Sequence, residues 1–315
     1  MKKIIVTGLT FLGFGLVLTI IGIGLGGNQS VAFNGLQPKV INTKVVHQVH
    51  QFEQVNQVNL NVNRGKVNFK TGKQFKVSYQ GSKDVAPKVT QSGTRVTVSQ
   101  PRTTNHHVFM DLGLLNHHAM HSQITITLPQ KELAKLQITS HDTRISSDAK
   151  LMIQALQLDL TDSDFTLSQA TVNQLTANAK DTDVTFNQSQ FKGGNLSVRD
   201  GDVTINNSDL QQVKLDNHDG DTYFHQVTAT GGEINLTDGD LAAHSLKIKK
   251  EYTIKASDGD ITITNPQADG YQLQATDGDL HLFNQHSEDG SLSQNPTATN
   301  LLTITTSDGD VTVQH

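Results

Sequence analysis

A short turn sequence recurs along this chain at a fixed spacing, and that spacing limits the folds open to it. The pentapeptide TDGDL occurs at Thr237–Leu241 and again at Thr276–Leu280. With the middle residue of each such triplet as a marker, seven of the eight intervals between markers are 19 or 20 residues. The markers are Thr143, Ser163, Thr182, Gly201, Gly220, Gly239, Gly259, Gly278 and Gly309. A constant interval of this length predicts one supersecondary unit repeated many times.

Apolar residues keep fixed positions relative to the markers. The positions two and four residues after the marker and five before it are almost wholly apolar through all nine repeats, and they alternate with polar residues as half-buried strands require. One repeat cannot bury its apolar face alone, but its neighbours can cover it. The pattern predicts an all-β fold, a single-domain β-solenoid of stacked coils of about 19–20 residues behind an N-terminal transmembrane helix.

Two details of the repeat carry further expectations. The last interval is 31 residues, and its surplus lies in the polar, turn-rich segment 284–300, which predicts a loop inserted into one coil. Glycine at the marker predicts a backbone with positive φ. Because Thr143, Ser163 and Thr182 replace that glycine in the first three coils, their turns must use another conformation or be strained.

The N-terminus predicts a membrane anchor. Ile4–Leu25 is a run of 22 uncharged, mostly apolar residues, long enough as a helix to cross a bilayer. A cleaved signal peptide, with Ser30-Val31-Ala32 as the cleavage site, is the alternative. Lys2 and Lys3 would keep the N-terminus in the cytoplasm, so the bulk of the chain would lie on the extracytoplasmic side of the cell membrane, with a single pass. The predicted segments are an anchor over 1–27, a linker over 28–51 and the solenoid over 52–315.

Charge is divided unevenly along the chain. Residues 1–130 contain 13 Lys and Arg against 3 Asp and Glu, whereas residues 131–315 contain 12 against 27. A basic segment beside the anchor is attracted to anionic lipid, and an acidic rod repels nucleic acid, so no nucleic-acid partner is predicted. The absence of cysteine from the sequence excludes disulfides and thiolate metal sites.

Short alternating runs before the regular repeats predict more strands. They lie within 52–128, interpreted as degenerate first coils, with the regular coils over 129–315 and loop insertions over 102–122 and 284–300. Val58–Tyr79 has the pattern of a degenerate coil, and Arg64-Gly65-Lys66 stands where later coils have Asp-Gly-Asp.

These features together resemble a known family. A β-rich lead, then ITITLP at 124–129, LQITS at 136–140 and turns ending in Gly-Asp-apolar, behind a glycine-rich apolar N-terminus, is similar to a bacterial putative-adhesin family of unknown function. The resemblance covers roughly Phe52–His315. It implies a β-solenoid exposed at the cell surface and without catalytic residues.

Two aspartate columns flank the marker, and stacking would bring like carboxylates within about 5 Å of one another. Hydrogen bonds from each turn's own N–H groups would hold them without a metal. The alternative is a ladder of Ca²⁺ ions, because Ca²⁺ prefers oxygen ligands. The ladder would use Asp200, Asp202, Asp219, Asp221, Asp238, Asp240, Asp258, Asp260, Asp277 and Asp279. The glycine pattern of calcium β-rolls is absent, so the interpretation without a cofactor is favoured.

A second candidate is the histidine-rich segment 105–121. It contains His106, His107, His117, His118 and His121 around an apolar centre. An exposed loop, contact with lipid or a partner, and metal binding through the i, i+4 pair His117 and His121 are the three interpretations.

The sequence favours a function without catalysis. The acidic residues are uniform along the repeats, and no nucleophile–base pair or phosphate-binding loop appears. We expect a surface adhesin or binding scaffold for a host-surface or cell-envelope polymer. The alternative is a sensor or regulator of cell-envelope stress that contacts membrane or cationic peptides.

Overall fold

The computed structural model describes residues 2–24, 31–34, 37–40, 45–101, 108–110, 122–129 and 132–315. Helix α1 spans Lys2–Gly24. Within the described ranges, no helix meets the length and hydropathy required to cross a membrane. The predicted anchor therefore stays a prediction.

The remaining described elements are strands and one short 3₁₀ helix, η1, at Lys83–Val85. The strands before the regular coils are β1 Val31–Asn34, β2 Gln37–Val40, β3 Val45–Phe52, β4 Gln57–Val62, β5 Gly65–Thr71, β6 Phe75–Ser82, β7 Lys88–Ser92, β8 Arg95–Ser99, β9 Val108–Met110 and β10 Gln123–Leu128. The first strands of the regular coils are β11 Glu132–His141, β12 Thr143–Ser147, β13 Leu151–Thr161, β14 Asp164–Ser168, β15 Ala170–Lys180, β16 Asp183–Asn187, β17 Gln190–Phe191, β18 Gly194–Arg199, β19 Val203–Asn206, β20 Asp209–His218 and β21 Thr222–His225. The rest are β22 Thr228–Thr237, β23 Leu241–His244, β24 Lys247–Lys249, β25 Tyr252–Ala256, β26 Ile261–Thr264, β27 Gly270–Asp277, β28 Leu280–Leu282, β29 Gln285–Ser287, β30 Gly290–Gln294, β31 Leu301–Asp308 and β32 Val311–Gln314.

Two long sheets face each other across the core. Sheet I has 14 strands and contains the strand that follows each turn. Sheet II has 15 strands, of which β18 and β24 lie off its main path, and contains the strand that precedes each turn. Pairing within the regular coils is parallel and keeps the repeat in register, as where Val184 pairs with Val203 and Leu196 with Leu215. The β-solenoid prediction is confirmed. A separate three-stranded sheet contains β1, β2 and β9.

The predicted inward columns form the core. Every member of the three columns is buried, including the polar substitutes Ser147 and Thr222. The members are Ile145, Phe165, Val184, Val203, Thr222, Leu241, Ile261, Leu280 and Val311; Ser147, Leu167, Phe186, Ile205, Phe224, Ala243, Ile263, Leu282 and Val313; and Ile138, Leu158, Ala177, Leu196, Leu215, Ile234, Ile254, Leu273 and Ile304. Burial of this apolar surface between neighbouring coils stabilises the stack.

The C-terminal end departs from chain order. The coil of β31 and β32 lies between the coil of β25 and β26 and the coil of β27 and β28. The chain therefore makes its end coil first, folds β29 and β30 back onto it in antiparallel pairing, and returns to the interior position. The prediction of a simple loop over 284–300 is wrong, because that segment contains the two strands that cover the end coil. Short antiparallel strands protect an open sheet edge from pairing with other chains.

The N-terminal end is built in a similar way. The coil of β4 and β5 stacks directly on β11 and β12 with Gly65 opposite Thr143, so a degenerate coil around Arg64-Gly65-Lys66 is present. The coil of β8 and β10 lies outside it, and β6 and β7 pair antiparallel on that coil. Strand β3 pairs with β6, so the predicted linker over 28–51 overlaps sheet I from Val45 onward and its boundary is corrected.

Candidate functional site: the Asp edge and the outer face of sheet I

The recurring turns form one long edge of the solenoid, here called the Asp edge, where each strand of sheet II passes to a strand of sheet I. Its first aspartate column takes the left-handed conformation in six coils, with φ between 48° and 59°, at Asp142, Asp162, Asp181, Asp200, Asp219 and Asp238. In the last three coils the glycine adopts positive φ instead, at Gly259, Gly278 and Gly309. The prediction of positive φ at every marker glycine is therefore correct only for these three. Aspartate accepts the left-handed region more readily than most residues.

The other marker glycines are required by close stacking. A Cβ on Gly201 would lie 2.1 Å from the carbonyl oxygen of Thr182, and one on Gly220 would lie 2.1 Å from that of Gly201. In the first three coils the marker side chains are buried, and the Ser163 hydroxyl accepts a hydrogen bond from Thr143 N at 3.3 Å. Likewise Thr182 Oγ1 accepts from Ser163 N at 3.1 Å. None of these three marker residues has positive φ, so their turns avoid the strain that was the other expectation from the sequence.

The second aspartate column forms a continuous hydrogen-bond ladder. Six carboxylates each accept the backbone N–H of the equivalent aspartate in the adjacent coil, at 2.8 to 3.0 Å. In spatial order the ladder contains Asp183, Asp202, Asp221, Asp240, Asp260, Asp310 and Asp279. The prediction that each Asp binds N–H groups of its own turn is corrected, because the donor belongs to the next coil. Charge-assisted bonds of this kind offset part of the repulsion between stacked carboxylates.

The proposed calcium ladder remains untested. The order of its aspartates departs from chain order at one point, because Asp310 lies between Asp260 and Asp279. One further contact uses the column: the Tyr223 hydroxyl donates to Asp221 Oδ2 at 2.7 Å. That hydrogen bond raises the pKa of Tyr223 to about 12.

The outer face of sheet I continues the regularity of the Asp edge. Beside the second aspartate column runs a column of mainly threonine: Ser146, Thr166, Thr185, Thr204, Tyr223, Ala242, Thr262, His281 and Thr312. Asn206 Nδ2 donates to Asn187 Oδ1 at 3.0 Å in the next column. There too the rings of His225 and His244 stack with centroids 5.3 Å apart. Sequence reasoning followed only the inward columns and missed this face, although the period-two alternation that located the core also defines it.

Sheet II carries a different outer face. Lys214 Nζ lies 3.3 Å from Asp216 Oδ1 and 3.2 Å from Glu233 Oε1, and Lys255 Nζ lies 3.6 Å from Glu233 Oε2. The hydrogen bond between Lys214 and Glu233 raises the pKa of the lysine and lowers that of the glutamate. These four charges are thus paired with one another.

The predicted histidine-rich site lies outside the described residues. His106, His107, His117, His118 and His121 all fall in 102–107 or 111–121. The segment does have described neighbours: β9 pairs antiparallel with β1, and Ser122 Oγ donates to the Arg64 carbonyl at 2.7 Å. The structure therefore tests none of the three interpretations of this segment.

The sequence profile of Toastrack DUF4097 matches residues 55–207 and again residues 192–314, which together span the solenoid. The chain belongs to the Toastrack DUF4097 family. The two overlapping matches agree with a domain made from stacked coils.

One solved structure supports the fold of this Toastrack DUF4097 member, and a second is reported beside it. A putative adhesin from Parabacteroides distasonis is 11% identical, with a TM-score of 0.56, over 85% of this chain and 97% of that one. A putative adhesin from Parabacteroides merdae is also 11% identical, with a TM-score of 0.49, over 86% of this chain and 97% of that one. At 11% identity, the similarity to the Parabacteroides distasonis structure shows only that the two proteins share a fold. No curated protein matches the chain.

Proposed function

We propose that this Toastrack DUF4097 protein is a non-catalytic adhesin-like scaffold that binds an extended glycan polymer of a host surface or cell envelope along the outer face of sheet I. The observation that carries the proposal is the repetition of the same polar row in successive coils. Along β16 the row is Asp183, Thr185 and Asn187, and in the next coil it is Asp202, just before β19, with Thr204 and Asn206 in β19. Carboxylate, hydroxyl and amide groups together can both donate to and accept from sugar hydroxyls.

A repeated row suits a repeated ligand. Individually weak contacts made by several coils to one polymer would act together, because each bound unit raises the effective concentration of the next. Tyr223 interrupts the threonine column in the middle of this face, and the residue is 41% exposed. Its hydroxyl is fixed by Asp221, which orients the ring as a platform for stacking.

The proposal includes a tether. The uncharged run Ile4–Leu25, preceded by Lys2 and Lys3, supports a retained anchor with the solenoid outside the cell. Membrane fractionation with mass spectrometry of the N-terminus tests this part. We expect the mature protein to keep Met1–Gly27, and a mature N-terminus at Phe33 with protein in the medium would contradict it.

One observation favours a second function, the sensing of cell-envelope stress through cationic peptides. The seven aligned carboxylates of the Asp edge form a strip of negative charge that would attract polycations. Binding of this kind would weaken steeply with salt, because it depends on exposed charge.

The test is binding of the full chain, held in detergent micelles, to an array of host and bacterial envelope glycans. Tyr223→Ala and Thr204→Lys alter the outer face of sheet I, and Thr176→Lys places the same lysine at an exposed position of sheet II. We expect the first two variants to weaken binding at least tenfold and the third to leave it unchanged.

Two outcomes would contradict the proposal. An equal loss of glycan binding in all three variants would show that binding does not depend on the outer face of sheet I. Salt-sensitive binding of cationic peptides without any glycan binding would favour the sensing function instead.

A further inference from the structure

A histidine and two aspartates converge on the Asp edge where the coil of β20 and β21 meets the coil of β22 and β23. His218 ends β20, Asp219 follows it in the turn, and Asp238 occupies the equivalent turn position of the next coil. One ligand atom from each residue lies within 4.8 Å of the other two. An imidazole nitrogen and two carboxylate oxygens at this separation can bind a single divalent ion.

The contact geometry at His218 points the same way. His218 Nδ1 is enclosed and makes no hydrogen bond with a described residue, although Asp219 Oδ2 lies only 2.9 Å away. The two atoms are as close as in a hydrogen bond, but they are not aligned for one. Ligands of one metal ion stand roughly 3 Å apart because both atoms face the ion rather than each other.

The chain contains an internal comparison. His141, Asp142 and Asp162 have the same sequence relationship, one coil spacing apart, and His141 Nδ1 lies 3.2 Å from Asp162 Oδ2. Here, however, Arg64 Nε lies 3.0 Å from Asp142 Oδ2 and neutralises it. Among the residues described, three ligand atoms converge at His218 and not at His141. The repeat alone therefore does not create the arrangement.

The two residues that pair with His218 differ in charge. Thr237, which is uncharged, pairs with His218 in the coil that supplies Asp238. Arg199 pairs with His218 on the opposite side, away from that coil. Asp219 and Asp238 stack in successive coils, so their like charges repel, and a bound cation would relieve that repulsion.

We propose that His218, Asp219 and Asp238 bind one divalent transition-metal ion of the Zn²⁺ class and so join two adjacent coils. Mixed nitrogen and oxygen donors suit Zn²⁺ and its neighbours, whereas Ca²⁺ prefers a shell of oxygen ligands. The site differs from a calcium ladder, which would run through every coil. It is also independent of glycan binding, because it lies in the turn and not in the threonine column.

The experiment is isothermal titration of the full chain in detergent micelles with Zn²⁺ after removal of metal by a chelator. The histidine-rich segment is silenced by changing His106, His107, His117, His118 and His121 to asparagine in every sample. In this background we expect one Zn²⁺ per chain, bound at least tenfold more tightly than Ca²⁺. His218→Asn and Asp238→Asn should each weaken binding at least tenfold, and His141→Asn should not change it.

A spectroscopic measurement separates ligation from folding. With one Cu²⁺ per chain, electron paramagnetic resonance should show coupling to imidazole nitrogen that is lost in His218→Asn and kept in His141→Asn. Asparagine accepts the left-handed backbone of Asp238, and circular dichroism melting curves would verify that the variants fold. No Zn²⁺ binding, equal affinity for Ca²⁺, or binding that survives His218→Asn would overturn the proposal.

Discussion

At the scale of single residues, the stacking distance decides which side chains the turns accept. A glycine in the turn column is needed for its backbone conformation, as at Gly259, and for the space occupied by the coil beside it, as at both Gly259 and Gly220. The sequence predicts glycine's role in the first case only. Close approach between coils depends on the stacked structure, and nothing local in the sequence reports it.

The first prediction concerns that close approach. Gly220→Ala should destabilise the protein by roughly 2 kcal/mol or more, because the added Cβ would lie 2.1 Å from a backbone oxygen that cannot move without shifting the coil. Gly193→Ala is the matched control, since the nearest atom to its Cβ would be 3.7 Å away. Urea unfolding measures both variants, and equal stabilities would contradict the stacking argument.

The second prediction concerns the aspartate ladder. Asp240 Oδ1 accepts a hydrogen bond from Asp260 N at 2.8 Å. Asp240→Ala should therefore cost about 1 kcal/mol. Asp240→Asn keeps an acceptor and removes a charge, so it should be neutral or slightly stabilising. Thermal melting measures both changes, with Asp289→Ala in an exposed loop as control.

Calcium tests the same ladder. If hydrogen bonds alone hold it, millimolar Ca²⁺ should shift the melting temperature no more than sodium chloride of matched ionic strength. A calcium-specific rise that disappears in the double variant Asp240→Asn with Asp260→Asn would show that the ladder is a calcium site.

At the scale of strands, alternation decides which residues are inside. Columns such as those of Val184 and Phe186 could be predicted from the sequence because a period of two and a period of 19 reinforce each other. The outward columns could be predicted from the same alternation, but which of their side chains contact one another could not. The sequence did not reveal the His218 cluster, because its pattern, a histidine next to an aspartate with a second aspartate one repeat later, also occurs at His141. There Arg64 forms an ion pair with Asp142, and the three ligand atoms do not converge.

The third prediction tests the alternation within one strand. Ile263→Asp places a charge in the core of β26, where it has no partner, and should destabilise the protein by several kcal/mol. Thr262→Asp makes the same charge change one residue earlier, on the exposed side of the strand, and should be within about 1 kcal/mol of the wild type. Urea unfolding compares them. Similar losses in both variants would show that the column assignment is wrong.

At the scale of the whole molecule, the coils are stacked in an order that differs from chain order at both ends. Interior coils are stacked in chain order. The coil of β31 and β32, however, lies nearer the middle of the stack than the coil of β27 and β28, which precedes it in the chain. The spacing of 31 residues signalled a change there but could not identify it, because coils with equivalent apolar columns can exchange places at little cost in packing. Antiparallel strands cover both ends of the coil stack and protect its regular coils from pairing with other chains.

Engineered disulfides test this order most directly, because the sequence has no cysteine. Thr262 pairs with Thr312, and Thr312 pairs with His281, so Thr262 and His281 are two coils apart. Two strand spacings are about 9.6 Å, beyond the reach of a disulfide. The variant Thr262→Cys with Thr312→Cys should form an intramolecular disulfide on oxidation, detected by mass spectrometry of the digested protein, and Thr262→Cys with His281→Cys should not. A disulfide in the second variant and none in the first would show that the coils follow chain order, which would contradict the account.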